Sequence, residues 1–553
     1  MLEQLREKSH TICCGLIITG ALLWLFSLFQ ARDALRNNAN ALGQLGLFSI
    51  LPFLFFAALS LLVLSFFFTL LLVRKNRLSL LICHTFLLIL VLNLTPAIVE
   101  GTARFSTSYF NYQTVDYVSK IGHVDSSVFW ALNWPGFSIF ISIFTQITGI
   151  SGQSILLVYP TIYNSMLFVP LFLLFRALSK DDRVVWLALW FAFFGNWVGQ
   201  DYFSMQSIGF LVIVLVLFLL LKNMNQGMHK RQWGIMFFLL FSYTVSSHFL
   251  SSLAILSVTL VLFLAKYLRR PFLLFSSATL VAAWTIFNAN NYLNSNLVAN
   301  LRGFLNVFQI FQRNVTTRIT TGAVSHVLVT QIRVAYSGII LAVGFLGIIL
   351  LWRNKNIGTA EKRLLAVLVG FSLLVVTFAY GGELFMRIYW FALIPLAYFA
   401  SKAILKHKSV LFLGILFFVI AAPSMFVVAY YGNESKDYTP YSETLGVVFL
   451  FNETTHGDIV GAYKDLYYHP TYSHSTLYST FMSNASGSLW TKPNAFSKDR
   501  FLCITSYETA VFNLFIGDNE FIQDVSNNVT QSPFYDRIYS NPTFDIYYSD
   551  GAQ

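Results

Sequence analysis

The sequence predicts a polytopic α-helical membrane protein of about thirteen transmembrane helices, followed by a small extracytoplasmic α/β domain. Three observations lead there. First, only 11% of the 553 residues are charged while 56% are hydrophobic, and mean hydropathy is +0.63; soluble chains carry about 25% charged residues. Second, long apolar runs recur from residue 11 to residue 430. A bilayer demands runs of that length, and backbone groups in hydrocarbon must be satisfied internally, so the runs are helices. Third, beyond residue 431 the runs stop and Tyr, Asn, Ser, Thr and Asp become frequent.

In chain order the spans fall near 11–30, 47–73, 79–98, 153–177, 184–199, 208–221, 233–249, 251–267, 272–288, 334–352, 364–380, 387–400 and 410–430. The first is too long for a signal-peptide core and is not followed by a small-residue cleavage site, so it is expected to stay as an anchor. The segment 135–150 is apolar but short, and is read either as a crossing or as a helix dipping in from one face. Basic loops at 74–77, 176–183, 222–231, 266–270, 352–363 and 402–408 alternate with loops poorer in Lys and Arg. The positive-inside rule makes them cytoplasmic together with the N-terminus, and places the C-terminal domain outside. Thirteen crossings fit this alternation if 135–150 does not cross. The formal charge of +11 is thereby spread over loops rather than gathered in one patch, which excludes a nucleic-acid footprint. Expected localisation is the plasma membrane, multi-pass.

Three regions result: accessory helices over 1–78, a membrane core over 79–430 with outer loops 99–134 and 289–333, and a soluble domain over 431–553. In the last, "SETLGVVFLFNETT" reads as a helix, "GDIVGAY" and "RFLCITSY" as strands, "NEFIQDVSNN" as a helix, and "DRIYSNPTFDIYYSD" as a hairpin. Of four cysteines only Cys503 lies there, so the domain is expected to hold without disulfides. Sequons at Asn314, Asn433, Asn452, Asn484 and Asn528 all fall on the outer side.

Ionisable residues at membrane depth are costly and mark function. Four clusters stand out, all at the outer face. Glu100 emerges from an apolar run into a loop that also carries Arg104, Asp116, Lys120 and Asp125; Asp116 alternatively is a solvated surface acid. Asp201 lies in "GNWVGQDYFSMQS" with Tyr202 and Gln206, a hydrogen-bonding surface suited to hydroxyl-rich ligands, or alternatively a helix cap. His248 sits among serines in "SYTVSSHFLSS", as a ligand-binding group or an interhelical hydrogen-bonder. Glu383 and Arg387 are four apart in "YGGELFMRIYWFALIPLAYFA", where Arg387 either neutralises Glu383 or meets a phosphate. Arg313, Arg318 and Arg333 add positive charge to the outer loops. No "HExxH", "CxxC" or outer Asp-x-Asp motif is present, and no phosphate loop; no cofactor is certain, and a divalent metal stays open.

An acid at a span end, the loop "DYVSKIGHVD", the closing "NWPGFSIFISIFTQITGI", a late outer arginine and a C-terminal soluble domain, in that order, resemble the GT-C superfamily of membrane glycosyltransferases. The likeness extends over roughly 79–430 and is greatest to archaeal members related to oligosaccharyltransferases and dolichyl-phosphate-mannose-dependent enzymes. It implies a polyprenyl-phosphate-linked sugar donor, a glycan, lipid or protein acceptor, reaction on the outer face and inversion at the anomeric carbon. By the resemblance the catalytic acid maps onto Glu100, with Asp116 second, and Arg387 holds the lipid phosphate. Many relatives carry an acidic residue where this chain reads "FSTSYF", Phe105 to Phe110, and no acid stands there in this sequence. The alternatives are a polysaccharide polymerase or ligase, a lipid-linked-glycan flippase or transporter, and a catalytically inactive relative. Membrane lipids are partners in every case, and nucleic acid in none.

Overall fold

The computed structural model describes residues 2–38, 41–73, 76–127, 130–226, 230–290, 292, 312, 317–377, 383–453, 458–461, 500–518 and 520–549. Three helices come first: α1 (Leu2–Asn37), α2 (Phe53–Leu71) and α3 (Arg77–Glu100). Two follow in the first large loop, α4 (Ser106–Ile121) and α5 (Gly136–Thr148). Then come α6 (Gly152–Leu178), α7 (Asp182–Gly195), α8 (Met205–Gln226), α9 (Lys230–Ser247), α10 (Phe249–Leu264) and α11 (Pro271–Phe287). The membrane part closes with α12 (Val324–Arg353), α13 (Thr359–Ser372), α14 (Leu384–Lys406) and α15 (Lys408–Tyr431).

Each of the thirteen predicted spans overlaps one of α1–α3 or α6–α15. Among the described residues eight of these helices are long and apolar enough to cross a membrane. The segment 135–150 forms α5, whose 13 residues rise only about 20 Å against a hydrocarbon core of about 30 Å. It is not among the helices long and apolar enough to cross. Ile139, Phe140, Ile143, Phe144 and Ile147 are exposed along it while Phe137 and Ile141 are buried, as suits a helix lying against the bundle with one side toward lipid.

Local chemistry explains the boundaries. Gly101, Gly122 and Gly149 end α3, α4 and α5 in the left-handed conformation. Ser151 caps α6, and Asp181 caps α7 by accepting from the Arg183 amide, so the adjacent aspartates of "SKDDR" form an exposed turn. Pro423 lies just beyond a π-helical turn over Phe417–Ala421 in α15, where its missing N–H interrupts the ladder. Helix α2 begins at Phe53, later than the predicted start of that span at residue 47, because Pro52 starts the helix and residues Gly43–Ser49 form a 3-10 turn. Gly46 in that turn has φ +58°, and a Cβ there would meet the Tyr431 carbonyl oxygen at 1.9 Å. The turn is thus pressed against the end of α15.

Helices in lipid associate through packing and interhelical hydrogen bonds. Phe66 stacks on Trp190 at 3.8 Å and Phe210 on Trp390 at 4.0 Å. Trp24 Nε1 donates to Thr95 Oγ1 at 3.0 Å and Trp190 Nε1 to Thr85 Oγ1 at 3.0 Å, so α1 and α2 are sealed onto the core.

Beyond the membrane part lie α16 (Tyr441–Glu453), β1 (Asp458–Gly461), β2 (Arg500–Thr505), α17 (Ser506–Val511), α18 (Phe521–Gln531), β3 (Asp536–Asn541) and β4 (Phe544–Ser549). The sheet order is β1-β2-β4-β3, with β1 and β2 parallel and the other pairs antiparallel. Strand alternation sends Cys503, Phe544 and Ile546 toward Val447 and Leu450 of α16, and Ile504 and Tyr547 toward Ile522, Val525 and Val529 of α18. The predicted α/β layer is therefore a sheet covered on both faces, and Cys503 is a buried free thiol within it. Two predicted glycosylation positions differ in access: Asn528 is exposed, but Asn433 is buried in the turn after α15 and is closed to modification in the folded chain.

Candidate functional site

Polar residues collect at the face that carries the C-terminal domain, in two groups. The first begins where α3 ends. Glu100 is buried, and the chain turns through Gly101 so that Arg104 reaches inward. Arg104 Nε and Nη2 both donate to the carboxylate of Glu434, each at 2.6 Å, and Nη2 also donates to the Tyr430 carbonyl oxygen at 3.2 Å. The guanidinium lies 4.5–4.8 Å from the rings of Phe105, Tyr430 and Tyr431, a cation–π cage that favours arginine over lysine. Glu100 and Asp437 complete the group, and both oxygens of the buried Glu100 carboxyl lie without a hydrogen-bond partner among the described residues. Phe105 adopts φ +64°, uncommon for a side chain of its size, and its amide donates to the Asp437 carbonyl oxygen at 2.8 Å.

Tyr430 links this cage to the loop after α7. Its hydroxyl donates to Asp201 Oδ1 at 2.6 Å, while Asn164 Nδ2 donates to Asp201 Oδ2 at 2.8 Å and to Asn93 Oδ1 at 3.0 Å. Both carboxylate oxygens of Asp201 are therefore engaged by side chains of α6 and α15. Capping of α8 falls instead to Ser204, whose Oγ accepts from the Ser207 amide at 3.3 Å. Tyr202 packs against Phe105 at 5.1 Å, Gln200 is buried, and Gln206 is partly exposed at the start of α8.

The second group sits where α10 and α14 begin. His248 Nδ1 accepts from the Ser251 amide at 3.3 Å and lies 2.7 Å from Ser251 Oγ. An Nδ1 that accepts from an amide carries no proton, so the imidazole is the Nε2–H tautomer. Arg387 lies close enough for its charge to act on that ring. Arg387 Nη2 donates to Glu383 Oε2 at 2.9 Å, and the two side chains differ sharply in setting: Arg387 is 8% exposed and Glu383 52%. The cation is inside, and its carboxylate partner points to solvent.

A ledge joins α4 to this second group. Thr114 Oγ1 lies 2.8 Å from Ser138 Oγ of α5, and Gly136 packs so closely on Ser246 and Ser247 of α9 that a Cβ would meet their hydroxyls at 2.6 and 2.4 Å. On α4, Asp116 pairs with Lys120 at 2.7 Å and is half-buried. Burial pushes its carboxyl above the ordinary aspartate value, against the opposing pull of Lys120. Arg333 Nε donates to the Ala429 carbonyl oxygen at 2.6 Å. The side chain of Arg318, and all of Arg313, lie outside the described residues. Among those described, no group of three His, Cys, Asp or Glu is placed to hold a metal.

The structure thus brings together Glu100 and Arg104, and separately Glu383, Arg387 and His248, and it ties Asp201 to the first group through Tyr430. Sequence reasoning missed Glu434, Asn164, Asn93 and Tyr430. Glu434 sits in a polar stretch just past the last span and has no local signal; the two asparagines within apolar spans were a signal.

No family model matches the chain, and neither does any curated protein. Solved structures do. One is the oligosaccharyltransferase of Archaeoglobus fulgidus, tethered with an acceptor peptide containing the NVT sequon: 14% identity over 87% of this chain and 74% of that one, TM-score 0.47. Another is AglB from the same organism in complex with an inhibitory peptide and a dolichol-phosphate: 12% identity, 86% and 74% coverage, TM-score 0.47. A third is ArnT from Cupriavidus metallidurans bound to undecaprenyl phosphate: 11% identity, 87% and 100% coverage, TM-score 0.49.

Proposed function

We propose that this chain transfers a sugar from a polyprenyl-phosphate donor to an acceptor at the membrane face bearing the C-terminal domain. The observation that carries the reading is Arg387: a guanidinium buried at the N-terminal turn of α14, with its carboxylate partner turned to solvent and a neutral imidazole beside it. The helix N-terminus adds positive potential at the same point. A planar fork there matches a phosphate held at the membrane interface by its lipid tail, and the order of outer loops resembles the GT-C enzymes.

In this reading the donor's phosphate docks at Arg387, which stabilises the charge that grows on the phosphate as the glycosidic bond breaks. His248 Nε2–H donates to a phosphate or sugar oxygen. A carboxylate accepts the proton of the acceptor hydroxyl or amide, and the acceptor attacks from the face opposite the departing phosphate, which inverts the anomeric carbon. Two carboxylates are candidates. Glu100 is buried beside the Arg104–Glu434 cage with no hydrogen-bond partner of its own among the described residues, whereas Asp116 has some access to solvent, a raised proton affinity and a place on the helix that joins the Arg387 ledge. Access favours Asp116 as the base, with Glu100 then a support of the cage. Asp201, Tyr202 and Gln206 shape the neighbouring wall.

The test is donor binding. Polyprenyl phosphate titrated into the purified full chain should bind at least about tenfold more weakly to Arg387→Lys, which keeps charge but loses the fork, and more weakly still to Arg387→Ala. Unchanged affinity in both variants reduces Arg387 to the partner of Glu383 and removes the main support for the reading.

A further inference from the structure

The geometry points to a binding site for an anionic phospholipid at the opposite face, between α9 and α11. A cleft of about 710 Å³ opens there, lined at its rim by Arg231, Arg269 and Arg270 and along its depth by Ile235, Phe238 and Phe272. The rim is cationic and the wall apolar, in the order a phospholipid presents its phosphate and acyl chains.

Three independent features favour an anion. From Tyr202 to Ala360 the sequence contains no Asp or Glu, so no acid from its own stretch of chain stands ready to neutralise this rim. Among the described residues none of the three guanidiniums is in an ion pair. Both flanking helices start at the cleft, α9 at Lys230 and α11 at Pro271, so two helix N-termini add to the field.

The site is also built in advance. Arg270 lies 4.7 Å over the ring of Trp233, which is fully buried and donates from Nε1 to the Leu219 carbonyl oxygen at 3.0 Å. That stack fixes one guanidinium at the mouth of the cleft. Leu239 and Phe272 are exposed beside it and continue the apolar wall toward lipid. A soluble anion would use the rim alone; the exposed apolar wall below it is what a lipid fills, so the occupant is a lipid and its headgroup bears a phosphate.

Native mass spectrometry of the full chain, with phosphatidylglycerol or phosphatidylcholine added, tests this. The wild type should retain phosphatidylglycerol in preference to phosphatidylcholine. Arg231→Gln/Arg269→Gln, which spares the Arg270–Trp233 stack, should bind phosphatidylglycerol roughly thirtyfold more weakly, from about fivefold for each arginine near a membrane anion. Arg176→Gln/Arg183→Gln, exposed in the α6–α7 turn, should leave retention unchanged. The inference is overturned if both pairs of substitutions lower retention equally, if neither does, or if phosphatidylcholine binds as well. Displacement of the lipid by inorganic phosphate at equal concentration would also overturn it, by making the rim a site for free anions.

Discussion

Replacing Asp201 by Asn separates a structural carboxylate from a helix cap. Asn93 Nδ2 donates to the Ile89 carbonyl oxygen at 2.9 Å, which turns its Oδ1 toward Asn164. Asn164 Nδ2 must then be the donor to both Asn93 and Asp201, and it also reaches the Pro160 carbonyl oxygen at 2.9 Å. Flipping Asn164 would forfeit those bonds. An asparagine at 201 therefore has one workable orientation: its oxygen accepts from Asn164, and its amide faces the Tyr430 hydroxyl. That hydroxyl then accepts rather than donates, and its own proton is stranded in a buried site. Losing a hydrogen bond to a charged group and stranding a donor costs about 1–3 kcal/mol. Denaturant or thermal unfolding of the purified chain reads this directly. Tyr430→Phe removes the stranded hydroxyl, so the double variant should be no less stable than Asp201→Asn alone, a non-additive cycle. Asparagine caps a helix about as well as aspartate. Wild-type stability in Asp201→Asn would therefore refute the network and restore the cap.

Two further outcomes follow from the same structure. If Asp116 is the base, it must be ionised to act, and burial raises its pKa, so the acid limb of kcat/KM should lie above that of an ordinary aspartate. Lys120→Met removes the charge that opposes the shift and should move the limb to higher pH; an unmoved limb excludes Asp116. Cysteines introduced into α18 should be labelled by a membrane-impermeant reagent from outside while those in the 222–231 loop are not, and the reverse pattern would place the proposed phosphate site on the wrong face.

Hydropathy made the helices legible because each apolar run has to satisfy its own backbone in lipid; every predicted span overlaps a helix, and eight helices among the described residues are long and apolar enough to cross. The short α5 was ambiguous by composition alone; length decides it. The strand and helix order of the C-terminal domain was equally readable from alternation and turn residues, as in "YSNPTFDIYYS" for β3 and β4. Partnering was not readable. Asp201 is next to Tyr202 and Gln206 in sequence, yet its hydrogen bonds run to Asn164 and Tyr430, 37 and 229 residues away. Arg104 reads as an outer-loop cation, but the carboxylate that holds it lies 330 residues on, at the start of the short helix Glu434–Asp437. Only packing of α3 against the end of α15 brings them together. Glu383 and Arg387 were legible because a helix makes neighbours of residues four apart.

The most direct test of the account is release of polyprenyl phosphate by the purified full chain incubated with polyprenyl-phosphate sugars and a panel of acceptors. The account predicts acceptor-dependent release that falls by about 10²-fold or more when Asp116, or failing that Glu100, is replaced by its amide, with donor binding retained. Release that persists at the wild-type rate in both Asp116→Asn and Glu100→Gln would contradict the acid–base assignment, and no release from any donor with any acceptor would contradict glycosyl transfer itself.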